Sequence, residues 1–303
     1  MILPTQVCPM TRPSPGKQLR DAVADSTIQV PGAFNALVGR MIENAGFDAT
    51  YVSGAAFSAG TLALPDVGLF TLTELAQHTT QLTRRIKIPV IVDADTGFGA
   101  AVNVERTIVE LEAAGAAAIQ LEDQVLPKRC GHLSGKALVE PDEMCSKLRA
   151  AAAARSDSNL VLIARTDARG VSGIEDAIDR AKRYLDAGAD WIFPEALADA
   201  AEFERFATTI ESPLLANMTE FGKSPLLTLS ELADMGYAAV LYPVTLLRTA
   251  MKAVEAALAV IASDETQSDL LDLMQSRQEL YDLLGYSGYE TRDREYFSPG
   301  PRE

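Results

Sequence analysis

The sequence predicts an α/β protein whose main part is a (β/α)8 barrel of the TIM type. Eight short apolar runs with strand character alternate with longer amphipathic stretches, and this number of units within about 240 residues fits such a barrel. The strand runs are apolar on both faces, as in Val90-Ile91-Val92, which is typical of a parallel sheet covered by helices. Several helical stretches end at a glycine before the next strand, as in Ala114-Gly115-Ala116.

The eight strand candidates are rich in apolar and β-branched residues. In chain order they are Ile28–Ala33, Ala49–Ser53, Val90–Asp95, Ala117–Glu122, Leu160–Asp167, Trp191–Glu195, Leu214–Met218 and Ala239–Tyr242. Helical periodicity between them includes Val104–Ala114, Ile174–Ala187 and Leu246–Ala262. A doubly wound open sheet is the alternative, but no GxGxxG phrase follows the first strand.

Three segments lie outside the barrel, which we assign to residues 17–262. Residues 1–16 contain four prolines and no periodicity, so we expect a flexible arm. Residues 263–289 are amphipathic and helical, and their apolar side must pack either on the barrel or on a neighbouring subunit. Residues 290–303 have the pattern of a flexible tail.

Charge and cysteine content exclude several classes of protein. The chain of 303 residues has 27 basic and 42 acidic side chains and a formal net charge of −15, which disfavours nucleic acid or an anionic membrane as a partner. An anionic ligand would therefore need cations concentrated at its site. The three cysteines, Cys8, Cys130 and Cys145, form no CxxC pair. Without a signal peptide or membrane segment, this pattern predicts a reducing, cytoplasmic location.

Polar residues follow six of the predicted strands, at the end where barrels carry their chemistry. Helix capping explains the Ser, Thr and Asp residues among them. It does not explain Arg165 and Glu195, because charges buried at strand ends need partners. The set at the strand ends is Ser53, Asp93, Asp95, Glu122, Arg165, Glu195 and Asn217.

Asp93 and Asp95 are two residues apart on one strand, so both carboxylates point to the same side. Two carboxylates in this position repel each other unless a cation lies nearby, and Glu122 ends the next strand. Oxygen ligands without histidine indicate a hard ion, Mg²⁺ or Mn²⁺. The alternative is a polar turn that begins a helix.

The segment Lys128-Arg129-Cys130-Gly131-His132 combines a cysteine and a histidine with two cations. Neighbouring positive charge favours the thiolate, which is the form that reacts or exchanges protons. A basic loop with an incidental cysteine is the alternative. Cys145 and His78 lie in helical patterns and are more typical of structural residues.

The segments at the strand ends, together with Lys128-Arg129-Cys130-Gly131-His132, resemble those of the isocitrate lyase and phosphoenolpyruvate mutase superfamily, and within it those of the 2-methylisocitrate lyases. The resemblance extends from about Ser14 to Tyr289. It depends on Tyr51-Val52-Ser53-Gly54, Leu64-Pro65-Asp66, Asp93-Ala94-Asp95-Thr96-Gly97-Phe98-Gly99, Leu121-Glu122-Asp123-Gln124, Lys128-Arg129-Cys130-Gly131-His132, Ala164-Arg165-Thr166-Asp167 and Asn217-Met218-Thr219-Glu220-Phe221-Gly222.

The resemblance implies a carbon–carbon lyase that cleaves 2-methylisocitrate to pyruvate and succinate in the methylcitrate cycle of propionate breakdown. It implies Mg²⁺ on Asp93 and Asp95, with Mn²⁺ as a possible substitute, and it implies a homotetramer built from dimers that exchange their last helices. The implied catalytic residues are Cys130 as the general acid, His132, Arg165 and Glu122. The implied substrate-binding residues are Ser53, Gly54, Ala55, Asp66, Lys128, Arg129, Gly131, Glu195, Asn217, Met218, Thr219, Arg248 and Arg277.

The sequence departs from the family at Ser53-Gly54-Ala55-Ala56-Phe57, where many 2-methylisocitrate lyases have a run of glycines. This departure leaves the preferred substrate open, with an oxaloacetate decarboxylase or another lyase of the superfamily as the main alternative. Phosphonate enzymes keep the aspartate pair but lack the Cys-Gly-His phrase. A barrel that only binds dicarboxylates would not need the acid, metal ligands and cations together.

We expect Cys130→Ser to keep its fold and metal binding but to lose most of its turnover, because a serine hydroxyl is a much weaker acid than a thiol. General acid–base groups typically contribute about 10²- to 10⁴-fold to a rate. Steady-state release of the 2-oxo acid product measures the effect. A rate within about tenfold of the unaltered enzyme would contradict the role of Cys130 as the acid.

Overall fold

The structure, a computed structural model, describes residues 13–129, 131–132 and 135–298, so Cys8 and Cys130 lie outside the described residues. All eight predicted strands are present in this part of the chain, most of them shorter by one or two residues at an end. They are β1 Ile28–Pro31, β2 Thr50–Val52, β3 Val90–Asp93, β4 Ala118–Glu122, β5 Val161–Thr166, β6 Trp191–Pro194, β7 Leu215–Asn217 and β8 Ala239–Tyr242.

Helices connect consecutive strands, as the alternating pattern predicts. The helices of the described residues, of which α1 precedes the first strand and α10 to α12 follow the last, are α1 Pro15–Asp25, α2 Ala36–Asn44, α3 Gly54–Leu62, α4 Leu72–Thr83, α5 Ala101–Ala113, α6 Pro141–Ala154, α7 Ile174–Asp186, α8 Ala200–Thr209, α9 Leu229–Asp234, α10 Thr245–Asp264, α11 Arg277–Leu284 and α12 Tyr286–Phe297. Short 3₁₀ turns cover Ala168–Gly170 and Ser268–Leu273. None of the described helices is both long and apolar enough to cross a membrane.

The strands close into a ring, which confirms the barrel and excludes the open sheet. Every strand pair is parallel, in the orders β1-β8-β7 and β2-β3-β4-β5-β6. Two further parallel bridges, Gly32 with Tyr51 and Ile192 with Leu214, join the two groups at both edges. Closure leaves no sheet edge exposed to solvent.

Alternate residues of each strand supply two separate cores. The inward set fills the barrel and includes Val30, Ile91, Ile163, Phe193 and Leu241. The outward set packs against the helices and includes Val52, Val92, Leu162, Ile192 and Val240. Because side chains alternate between the two sides of a strand, every second residue faces the barrel interior. At the carboxyl ends of the strands these inward-facing residues are polar. This alternation decides which of the predicted site residues can meet.

The structure differs from the predicted boundaries at both ends of the chain. Helix α1 begins at Pro15, within the predicted arm, because proline suits the first helical turn and the Ser14 hydroxyl accepts from the backbone N–H of Lys17. At the other end, α12 makes residues 290–297 helical rather than an irregular tail. Residues up to Leu247 form one compact unit and residues from Arg248 a second.

We expect His78→Phe to flatten the pH dependence of stability on the acid side of neutrality. His78 is buried in α4 against the Phe57 ring, and burial lowers its pKa from 6.5 to about 4. Below pH 6.5 the His78 ring is protonated in the unfolded chain but stays neutral in the folded chain. The free energy of unfolding therefore falls as the pH falls towards 4. This group alone accounts for a loss of about 2 kcal/mol between pH 7 and pH 5.

Urea unfolding at pH 7 and pH 5 measures this effect in the unaltered chain and in His78→Phe. The comparison uses the pH-dependent difference within each protein, so any packing cost of the substitution cancels. Equal losses in the two proteins would show that His78 does not cause the effect.

Candidate active site

Asp93 is held in place at the carboxyl end of β3 by three hydrogen bonds. Its Oδ1 accepts from the Gln120 side-chain amide at 3.0 Å and from the backbone N–H of Asp95 at 3.2 Å. Its Oδ2 accepts from the backbone N–H of Gly54 at 3.1 Å. All three donors are neutral, so the carboxylate remains without a directly bonded cation among these partners.

Gly54 keeps open a small space that both aspartates face. A Cβ atom at this position would lie 3.1 Å from Asp95 Oδ1 and 3.2 Å from Asp93 Oδ2. Lys128 closes the other side, since its Nζ lies 2.8 Å from Asp95 Oδ1 and also contacts Asp66. Asp95 itself has left-handed backbone, with φ at +46°. The strain at Asp95 is typical of a functional position.

The aspartate pair fits a divalent cation. Burial raises the pKa of Asp95 to about 7; Lys128 opposes this rise and Asp93 adds to it. Among the described residues no group of three or more His, Cys, Asp and Glu side chains is arranged to hold a metal. Mg²⁺ suits such a site, because it commonly binds one or two carboxylates and completes its shell with water and substrate oxygens.

Arg165 at the end of β5 is the centre of a second, buried cluster. Its Nη1 lies 3.3 Å from Glu122 Oε2, and its Nε donates to Asp167 Oδ2 at 3.0 Å. The same Nε lies 3.7 Å from Glu195 Oε2, and the guanidinium lies 5.2 Å above the Phe193 ring. One cation is thus shared by three carboxylates, and this arrangement fixes the guanidinium in one plane.

Glu122 and Glu195 share Arg165, yet their pKa values move in opposite directions. Burial raises the pKa of Glu122 well above its ordinary value, because Arg165 only partly offsets the desolvation and Glu122 Oε1 has no hydrogen-bond partner in the described part of the chain. Burial also acts to raise the pKa of Glu195. There Arg165 and His132 outweigh it and lower the pKa to about 2.

His132 is oriented from both sides of its ring. Its Nδ1 accepts a hydrogen bond from the backbone N–H of Lys223 at 2.9 Å. In the neutral ring the proton therefore sits on Nε2, which lies 2.8 Å from Glu195 Oε1. Asn217 donates to Glu195 Oε2 at 3.2 Å. Glu195 consequently contacts two side chains that the sequence assigns to the substrate.

The two clusters form one acidic site. Six carboxylates and three cations lie in them among the described residues, and all of these except Asp93 form ion pairs: Asp66, Asp93, Asp95, Glu122, Asp167 and Glu195 with Lys128, Lys136 and Arg165. An anionic ligand would be repelled by this excess of carboxylates unless a divalent cation were added. The excess of negative charge thus favours a bound divalent cation, which the oxygen ligands of the site also predict.

Comparison with known proteins decides the family. The phosphoenolpyruvate phosphomutase family model matches residues 19–262. The chain belongs to this phosphoenolpyruvate phosphomutase family. Its curated relatives include a 2-methylisocitrate lyase from Aeropyrum pernix, 54% identical over 93% of this chain and 91% of the relative. These findings confirm the predicted superfamily and an enzyme of the carbon–carbon lyase class.

Solved structures of this family share the barrel. A 2,3-dimethylmalate lyase is 33% identical and superimposes with a TM-score of 0.89, covering 95% of this chain and 97% of that one. A phosphonopyruvate hydrolase in complex with oxalate and Mg²⁺ is 30% identical, with a TM-score of 0.85 over 94% of this chain and 100% of that one. The phosphoenolpyruvate mutase fold is therefore confirmed.

Several predicted site residues lie in these clusters or beside them. Ser53 caps α3, since its hydroxyl accepts from the backbone N–H of Ala56 at 3.3 Å, and this cap directs Gly54 and Ala55 into the first helical turn beside Asp93. Lys128 and Asp66 pair with each other. Thr219 follows β7 and is half-buried.

Met218 is a correction to the predicted site. It faces outward from β7 into the layer between barrel and helices, where its sulfur accepts from the backbone N–H of Leu227. The reason is the two-residue period, because Asn217 points inward and its neighbour must then point outward.

Four other predicted residues stay predictions. Cys130 lies outside the described residues. Arg248 and Arg277 belong to the second compact unit. Arg129 is exposed, and its backbone N–H donates to Gln124 Oε1 at 2.9 Å.

Sequence reasoning missed Gln120, Lys136 and Asp167 as parts of the site. Gln120 had a signal, because it is a polar residue inside an apolar strand and lies two positions before Glu122 on the same face. Asp167 likewise lies two positions after Arg165. Lys136 had no such signal, since it follows the strand by many residues and reaches Asp167 only through the tertiary structure.

We expect Gly131→Ala to lower kcat/KM by about 100-fold. A Cβ atom at Gly131 would lie 2.4 Å from both Arg165 Nη2 and Glu195 Oε1. Neither side chain can retreat, because the ion pairs around Arg165 hold both in place, so His132 would be displaced instead.

Gly288→Ala is the matched control. An added Cβ there first meets the flexible end of Arg292 at 3.4 Å, and we expect the activity of this variant to stay unchanged. Steady-state kinetics of the two variants measure the effect. Equal activity in both would contradict the tight packing of Gly131 against the arginine cluster.

Proposed function

We propose that this chain is a Mg²⁺-dependent 2-methylisocitrate lyase, which cleaves its substrate to pyruvate and succinate in propionate breakdown by the methylcitrate cycle. The observation that carries the proposal is the presence of two complementary clusters at one barrel mouth. The Asp93–Asp95 pair faces a small open space beside Gly54, and the Arg165 cluster presents anion-binding groups. The name of the Aeropyrum pernix relative supports the choice of substrate.

The reaction poses two chemical problems. A tertiary alcohol must lose its proton while the neighbouring carbon–carbon bond breaks. The bonding electrons then remain on a carbon beside a carboxylate, which produces a strongly basic succinate carbanion. A catalyst must therefore stabilise negative charge and deliver one proton.

Asp93 and Asp95 are the residues that would hold Mg²⁺, and the bound ion would lower the pKa of the substrate hydroxyl and stabilise the developing ketone. Gly54 leaves room beside both carboxylates. Lys128 neutralises part of the charge of Asp95 and Asp66. The phosphonopyruvate hydrolase structure with Mg²⁺ supports this choice of ion.

In this proposal His132, Arg165 and Asn217 bind the carboxylates of the succinate half. His132 Nε2 has no hydrogen-bond partner among the described residues, so its N–H can donate to a carboxylate oxygen, and Arg165 presents a planar fork suited to carboxylate oxygens. Asn217 Oδ1 is buried without a partner among the described residues, so it can accept from a hydroxyl of the ligand, whereas the Asn217 NH₂ group is the part that can donate to a carboxylate. Thr219, Arg248 and Arg277 complete the proposed carboxylate-binding set.

Cys130 is the proposed general acid. It directly precedes Gly131, whose backbone packs against Arg165 and Glu195. The thiol proton goes to the succinate carbanion during cleavage, and the thiolate takes it back in the condensation direction. Lys128 and Arg129 supply nearby positive charge that favours the thiolate.

A related lyase acting on another 2-hydroxy or 2-oxo dicarboxylate, or an oxaloacetate decarboxylase, is the second candidate. Ala55-Ala56-Phe57 favours it, since this phrase replaces the glycine run of many 2-methylisocitrate lyases next to the aspartate pair. The structural likeness to a 2,3-dimethylmalate lyase adds to it.

We also propose a cytoplasmic homotetramer in which the last helices are exchanged between subunits. Within the second unit, large apolar side chains are exposed, among them Leu258, Leu271, Leu273, Tyr296 and Phe297. Apolar surface of this extent is typical of a protein interface.

Steady-state release of the 2-oxo acid with 2-methylisocitrate, isocitrate and oxaloacetate, each with Mg²⁺ and with EDTA, tests the proposal. We expect 2-methylisocitrate to give by far the highest kcat/KM, with activity lost in EDTA and restored by Mg²⁺. A higher kcat/KM for oxaloacetate or isocitrate would reject this substrate, and full activity in EDTA would reject the metal.

A further inference from the structure

Lys136 is a buried cation that the proposed reaction does not use. Its side chain is 1% exposed, and its Nζ donates to Asp167 Oδ1 at 2.6 Å and to the Gly131 carbonyl at 2.5 Å. A buried ammonium group is costly unless it is paired and hydrogen-bonded. These two acceptors therefore fix where the ammonium group can lie.

Asp167 connects this lysine to the arginine cluster. Its Oδ1 accepts from Arg165 Nη2 at 3.2 Å as well as from Lys136, and its Oδ2 accepts from Arg165 Nε. The backbone N–H of Asp167 donates to Asp123, whose carboxylate also accepts from the Tyr184 hydroxyl. Asp167 is thus a fixed point that two cations share.

The Gly131 carbonyl belongs to the peptide that leads into His132. One side of Gly131 packs against Arg165 Nη2 and Glu195 Oε1, which leaves no space even for a methyl group. Lys136 holds the carbonyl of the same residue. The peptide is therefore confined between an ammonium donor and the arginine cluster.

We propose that Lys136 is a positioning residue: its ammonium group joins Asp167 to the Gly131 carbonyl and so holds His132 and Arg165 in one arrangement. It acts through these neighbours and contacts no reacting atom. Without the ammonium group, the Gly131 carbonyl loses its donor, and among the described residues Asp167 keeps only Arg165 as a charged partner. His132 then loses its fixed distance to Glu195.

The tautomer of His132 reports this positioning without any substrate. The chain has only two histidines, so ¹⁵N-histidine labelling gives a simple spectrum, and His78→Phe assigns the two signals. In the unaltered chain we expect one His132 tautomer, with the proton on Nε2. In Lys136→Met, which keeps the length of the side chain but not the charge, we expect a mixture of tautomers.

Kinetics supply a second readout, which rests on the proposed function. We expect kcat for 2-methylisocitrate to fall about 10- to 100-fold in Lys136→Met, the size of effect that follows from misplacing catalytic groups. Arg155→Met is the matched control, because Arg155 also joins a carboxylate, Asp190, to a backbone carbonyl, that of Leu160. It does so at the opposite end of β5, and we expect its kcat to stay within about twofold.

The outcomes separate the possibilities. An unchanged His132 spectrum together with unchanged kcat would overturn the proposal and leave Lys136 a structural residue like Arg155. If the unaltered chain does not cleave 2-methylisocitrate, the proposed function fails, while the histidine spectrum still decides the role of Lys136. Lys136→Gln removes the charge and shortens the side chain by one atom, so its amide does not reach Asp167 and the Gly131 carbonyl together; it serves if the methionine variant does not fold, and we expect it to show the same mixture of tautomers.

Discussion

The sharing of one buried arginine by three carboxylates is the constraint on which the rest of the site depends. Arg165 contacts Glu122, Asp167 and Glu195, and each of these carboxylates then orients something else. Glu195 aligns His132 and Asn217. A buried carboxylate without its cation would be strongly destabilising, so the position of the guanidinium and the positions of the groups around it are determined together.

The closed barrel is what allows this cluster to form. Every second residue of a strand faces the barrel interior. These inward-facing residues are apolar in the amino-terminal half of the strands and polar at their carboxyl ends. Tyr51 and Gln120 mark the boundary between the two, since the Tyr51 hydroxyl donates to Gln120 at 2.5 Å and Gln120 in turn donates to Asp93. The packed apolar core of the barrel thus lies directly beneath the site and keeps water away from its charged groups.

Two lysines connect this barrel mouth to the chain that follows β4. Lys128 pairs with Asp95 and Asp66, and burial disfavours its charged form, but these carboxylates outweigh burial and raise the pKa of Lys128. Lys136 pairs with Asp167. Gly131 and His132 lie between the two lysines in the sequence, so ion pairs to residues of different strand ends flank them on both sides.

The sequence by itself determined the barrel, the strand order along the chain and most of the residues at the carboxyl ends, because period and local composition are properties of neighbouring positions. Only the tertiary structure decided which of them meet. It turned Met218 outward and brought Lys136 onto Asp167 across 31 positions. Partners so distant in sequence are selected by strand closure and by the need to neutralise buried charge, and neither leaves a local pattern.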